Sequence, residues 1–259
     1  MKIYAKQRLE GAILLDQLTD DGIKNWAVKI NAPDWVSFLL KDSSLAFKVL
    51  GYNVYKKVDG NDTFYFVLND KQYNQKYTIV FYSQVQKSTS RNKMFKSGMH
   101  QSLIWKAPGF AYGVKFAVKF LTTLIDINKE LLMTDMKQTF HGRVMWINLL
   151  LELYKTYDCY YALSAPSDAK CIIKIDNAKD IDHYEDDIVQ PSSEYAYRTA
   201  FILKKGIDPK TVLRDSINTR ILTCQEAEDL GIFTKPQALT DLEREIMINE
   251  YEGKEIKKE

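Results

Sequence analysis

Hydrophobic positions change their period along this chain, and the changes mark out its elements. Between residues 52 and 105 apolar side chains come in short blocks. Residues 53–58, 63–68 and 77–82 are dense in β-branched and aromatic types, and Asp59-Gly60-Asn61-Asp62 and Asn69-Asp70 punctuate them. Such blocks between turn formers predict three strands of an antiparallel meander, with residues 101–105 as a fourth. Residues 84–98 are polar and basic and read as a loop or hairpin tip. From Phe110 the period becomes helical: Phe110, Val114, Phe116, Ala117, Phe120, Leu121 and Leu124 make one wide apolar face. A short buried-type strand over residues 130–133 ends at Thr134-Asp135. A second helix spans about 138–154, and strands are expected over 159–163, 171–175 and 197–203.

The flanks are less regular. Residues 26–30 read as a strand. A helix starting at Pro33 carries Trp35, Phe38 and Leu39, with Leu45, Phe47 and Leu50 as its continuation and Gly51 as its end. Beyond Asp208 the pattern looks helical and increasingly charged, and Thr223-Cys224-Gln225-Glu226 fits a helix-start box. The expected organisation is an α+β domain over residues 1–203 and a helical C-terminal extension over 204–259.

Composition narrows the classes. The chain carries 36 basic and 34 acidic residues, so the net charge of +2 argues against an electrostatic nucleic-acid or membrane binder. Three cysteines without CxxC spacing point away from a disulfide framework or a thiolate zinc site. No signal pattern and no membrane-length apolar run is evident, and a cytoplasmic protein is expected. Gly-x-Ser-x-Gly, His-Glu-x-x-His and the phosphate-loop Gly-x-x-x-x-Gly-Lys-Ser/Thr motif are all missing, which leaves serine-hydrolase, zinc-protease and ordinary NTPase readings without support.

The candidate chemistry centres on Lys106-Ala107-Pro108-Gly109-Phe110-Ala111-Tyr112-Gly113, a turn between an apolar strand and an amphipathic helix. Backbone N–H groups at such a helix start have no intrahelical partner and can hold an anion. The plainer reading is a strand-to-helix turn in which Pro108 and Gly109 only shape the backbone. In strand order and in this turn, the chain resembles the GNAT superfamily of acyl-CoA N-acyltransferases. Lys106 to Ala111 look like that family's Gln/Arg-x-x-Gly-x-Gly/Ala signature, with Lys in the first position. The segment from residue 101 to 163, with Thr134-Asp135, Thr139, Gly142 and Met145-Trp146, also looks like acyltransferase-like proteins of bacteriophages.

The resemblance implies a GNAT-like, mostly antiparallel mixed sheet flanked by helices. It implies acetyl-CoA (acyl-CoA) as cofactor, gripped by Lys106, Gly109, Phe110, Ala111, Tyr112 and Gly113, and an unknown amine as acceptor. It further implies that the strand ending at Asp135 splays from its neighbour to admit the acyl arm. The family's general-acid Tyr falls on Trp146, so His141, Tyr154 and Tyr157 stand as substitutes by proximity. Asp135 has two roles open: base toward an ammonium, or cap of the next helix, the commoner role of such a residue. The alternative function is a non-catalytic GNAT-like viral protein that binds a host protein or nucleic acid. For the latter, Lys87, Arg91, Lys93 and Lys96 with Tyr82 and Phe95 offer phosphate contacts and stacking, against the plainer reading of a solubilising loop. His183 among Asp182, Glu185, Asp186 and Asp187 reads as a solvated acidic loop rather than a metal cluster.

Overall fold

The computed structural model describes residues 28–70, 77–87, 94–96, 98–107, 110, 114–128, 131–134, 140–165, 169–184, 188 and 197–233. Helix α1 (Pro33–Leu40) opens with proline at its first position, where a missing N–H costs nothing. Strands β1 (Ser44–Val49), β2 (Tyr52–Asp59), β3 (Asp62–Leu68), β4 (Ile79–Lys87) and β5 (Met99–Lys106) pair antiparallel in chain order. The predicted meander is therefore present, and β4 runs further than expected, through Lys87.

Two expectations fail at the start. Residues 28–30 are helical, not extended, and residues 26–27 lie outside the described residues. The helix from Pro33 stops at Leu40, and Leu45 and Phe47 belong to β1. Phe47 lies over Tyr65 and Phe120, whereas Leu45 is 54% exposed, so burial by cross-strand neighbours overrides the helical spacing. Gly51 ends no helix. With φ of +88° and Leu50 at +48°, it makes a two-residue hairpin turn whose twist suits the flanking strands.

The sheet has helices on both sides of this half. Phe64 and Tyr65 are adjacent in β3 and point to opposite faces. Trp35 and Phe38 of α1 stack at 4.9 Å and meet Phe64 edge-on. Helix α2 (Val114–Asn128) covers the other face, with Phe120 against Tyr65 and Phe81, and Phe116 against Phe81. After α2 come β6 (Leu132–Met133), α3 (Phe140–Leu153), β7 (Tyr157–Ser164), β8 (Lys170–Ile175) and β9 (Tyr197–Lys204).

The chain does not leave the sheet at residue 203. β10 (Thr219–Thr223) pairs parallel to β8, and the short helix α4 (Cys224–Asp229) follows it. Thr219-Arg220-Ile221-Leu222-Thr223 carries β-branched residues at three of its five positions and is a strand, and a helical reading of 204–223 gives way to it; residues 234–259 lie outside the described residues. The helix-start box is formed in full, with Thr223 Oγ1 accepting from Glu226 N and Glu226 Oε2 accepting from Thr223 N at 2.8 Å. The resulting architecture is α+β, one mixed sheet in the order β1-β2-β3-β4-β5-β6-β9-β7-β8-β10, parallel only at β5/β6 and β8/β10.

Two packing predictions follow from this arrangement. Phe120→Ala removes a ring that touches three others and should lower unfolding free energy by about 3–5 kcal/mol in denaturant titration. Cys159, Cys171 and Cys224 are free and buried, and burial pushes the Cys159 thiol up to about 12 and Cys171 to about 11. At about pH 8, Ellman's reagent should leave all three thiols of the folded chain untouched and react with them only after unfolding.

Candidate functional site

The parallel junction between β5 and β6 is the place where the sheet changes character. Parallel neighbours need a crossover, and α2 supplies it. The ladder holds only Met99↔Leu132 and His100↔Met133, while β5 continues to Lys106. On its other side β6 pairs with β9, and Thr134 continues that ladder. Thr134 N donates to Ala200 O at 2.9 Å, and Ala200 N donates to Thr134 Oγ1 at 3.1 Å. Thr199 Oγ1 donates to Thr134 O at 3.0 Å. Beyond His100↔Met133, β5 has no partner among the described residues on its β6 side, and this is the open end of a wedge between the two strands.

The signature turn sits at the open end of this wedge. Lys106 is exposed at the end of β5, and Ala107 N still donates to Val80 O of β4 at 2.8 Å. Phe110 N donates to Ala107 O at 3.0 Å, closing a tight turn. Phe110 itself precedes the described helix, which begins at Val114 rather than at Phe110 as expected. Its ring is buried between Tyr52 and Phe116, at 5.1 and 5.0 Å. The Phe110 side chain is therefore a core anchor for the turn, and its N–H is committed to Ala107 O. Gly109, Ala111, Tyr112 and Gly113 lie outside the described residues, as does Asp135.

Topology sets the direction of α3. β9 is antiparallel to both β6 and β7, so β6 and β7 run alike and α3 runs back between them. Its first turn, with His141, is at the open end of the wedge; nothing is described of the His141 side chain. Tyr154 follows the last turn. A helix of 14 residues is about 21 Å long, so Tyr154 and Tyr157 lie at the far end from Lys106 and Thr134. Tyr157 donates to Asp126 at the end of α2, and burial followed by that carboxylate pushes its pKa up to about 12. Both tyrosines are close in sequence to the candidate site, and the helix carries them away from Lys106 and Thr134.

Trp146 is wholly buried, and its Nε1 donates to Gln101 Oε1 of β5 at 3.2 Å. This bond fastens α3 to the sheet one residue beyond the last β5–β6 pair. Sequence reasoning missed two neighbours of this region, Arg143 and Arg198, which are 4% and 8% exposed. A cation inside an otherwise apolar helical stripe, Arg143 before Trp146 and Leu150, was the available signal.

Other singled-out residues take structural positions. His183 is buried, not solvated: it lies 3.0 Å from Glu228 Oε1 of α4 and stacks on Phe233 at 4.4 Å. Tyr82 stacks on Phe64 and Phe95 packs against Phe201, both buried, so neither ring is a platform for bases. Lys96 Nζ donates to Thr211 O, and Arg91 and Lys93 lie outside the described residues. Among the described residues no His/Cys/Asp/Glu group is arranged to hold a metal ion, and no helix is long and apolar enough to cross a membrane. Compared with known proteins, the chain matches no family model, no curated protein and no solved structure.

Trp146→Phe removes part of a wholly buried ring and strands the buried Gln101 carbonyl oxygen. Chemical denaturation should show a loss of about 1–3 kcal/mol. Gln101→Leu in the Trp146→Phe background should recover part of it, since removing both partners avoids the orphaned group.

Proposed function

We propose that this chain is an acyl-CoA-dependent N-acyltransferase of GNAT type, transferring an acetyl group to an amine. The observation that carries the reading is the short parallel β5/β6 ladder joined by α2, whose described pairs end at His100↔Met133 while β5 runs on to the signature turn. The insertion of β9 between β6 and β7 supports it as well. An extended acyl arm needs backbone groups that no neighbouring strand occupies, and a strand pair that separates provides them.

In this reading Gly109, Ala111, Tyr112 and Gly113 offer backbone N–H groups to a pyrophosphate, and Lys106 adds a cation at the same end. Phe110 holds the turn in place through its buried ring. Acetyl-CoA supplies an activated thioester carbonyl. The wedge orients an amine toward that carbonyl, and free N–H groups along β5 stabilise the developing oxyanion. Asp135, directly or through water, takes the proton from the incoming ammonium; a C–N bond forms, the C–S bond breaks, and the sulfur leaves with a proton delivered from His141 or solvent.

Trp146 favours a second reading, a non-catalytic protein on the same architecture. Its indole is buried and committed to Gln101 where the resemblance asks for a phenolic acid. The partner in that case is a protein rather than a nucleic acid, given the buried Tyr82 and Phe95.

Calorimetric titration with acetyl-CoA separates the two. Binding at micromolar to low-millimolar concentration is expected, and Gly109→Glu should abolish it by placing a carboxylate in the turn. Absence of binding at millimolar ligand sinks the transferase reading. Asp135→Asn should lower kcat by roughly 10²–10⁴-fold with acetyl-CoA affinity unchanged if Asp135 is the base.

A further inference from the structure

Two arginines lie buried on the α3 side of the sheet, at the open end of the wedge. In β9, Ala200 and Ile202 join the core beneath α3, whereas Phe201 and Leu203 belong to the opposite face. Alternation puts Arg198 on the α3 side. The register Phe201↔Met133 sets Arg198 beyond the C-terminal end of β6. Arg143 precedes Trp146 by one helical turn on the same face of α3, about 4.5 Å nearer the helix start. Since Trp146 is fastened at Gln101, one residue past the last described β5–β6 pair, Arg143 lies beyond the end of that ladder.

Arg143 Nε is buried and, among the described residues, has no hydrogen-bond partner. A guanidinium stays charged at any pH a folded protein meets, and burying it without a counter-charge costs several kcal/mol. Its planar fork matches an oxyanion with two acceptor oxygens. The start of α3 adds the positive end of a helix dipole at the same place.

We propose that Arg143, on the face where Arg198 also lies, forms an oxyanion subsite for the acceptor, which is a small amine bearing a carboxylate or a phosphate. The oxyanion site stands on Arg143 alone; its assignment to the acceptor rests on the acyltransferase reading.

The test uses the full chain, inorganic phosphate and acetate as probes, and the near-isosteric Arg143→Met. Without ligand, Arg143→Met should raise the thermal midpoint, because a buried unpaired charge is replaced by an apolar chain. A structural, internally paired arginine gives the opposite sign, and a lowered midpoint overturns the proposal. Titration with phosphate or acetate should give millimolar binding to the parent chain and at least tenfold weaker binding to Arg143→Met. Equal binding, or none to the parent chain, also overturns it.

The acceptor is then sought by thiol release from acetyl-CoA with glutamate, phosphoethanolamine, ethanolamine and spermidine. Glutamate alone identifies a carboxylate acceptor, and phosphoethanolamine alone a phosphate acceptor. Arg143→Met should raise KM for the accepted amine at least tenfold and leave acetyl-CoA affinity within twofold. A loss of acetyl-CoA affinity instead, or preference for spermidine, removes the acceptor assignment. If phosphate or acetate binds through Arg143 but acetyl-CoA does not bind, the transferase reading fails and the oxyanion site survives.

Discussion

The short parallel contact between β5 and β6 is the constraint on which the rest of the molecule depends. A parallel pair cannot be closed by a tight turn, so the chain must cross the sheet, and α2 makes that crossing. α2 is held there by aromatic rings: Phe116 and Phe120 on Phe81, Phe120 again on Tyr65, and Phe116 on Phe110. The meander before the crossing and the β7–β8–β9 part of the sheet after it are each antiparallel, and each buries its own apolar strips. At the crossing the polar pair Gln101 and Trp146 is buried between the sheet and α3.

On the other side of β6, Thr134 places its N–H, its carbonyl and its hydroxyl on β9, through Ala200 and Thr199, and so continues the β6–β9 ladder. The Trp146–Gln101 bond then fixes α3 above the point of separation. Elsewhere α3 packs through Leu149, Leu150 and Leu153 and pairs Glu152 with Lys119 of α2. The buried Trp146–Gln101 contact lies one helical turn from Arg143.

The C-terminal part is integrated by similar means. β10 extends the sheet beside β8, Leu213 bridges to Phe95, and His183 joins Glu228 and Phe233. These contacts close both ends of the sheet's second half. They turn a segment that looked like an attached helical unit into part of the same α+β body.

The sequence by itself determined the meander, the α2 stripe, the last helix start at Thr223 and the position of the Lys106–Gly113 turn between a strand and a helix. Those are local properties: β-branched blocks, a 3.6-residue period and a capping box are written in neighbouring residues. Tertiary structure alone decided that residues 44–49 pair as a strand, since Phe47 is buried by Tyr65 and Phe120 from other elements. It likewise carried Tyr154 and Tyr157 to the end of α3 away from Lys106, and buried Tyr82, Phe95, His183 and Arg143. Burial, register and the partner a polar group finds depend on residues far apart in the chain, which is why no local pattern announced them.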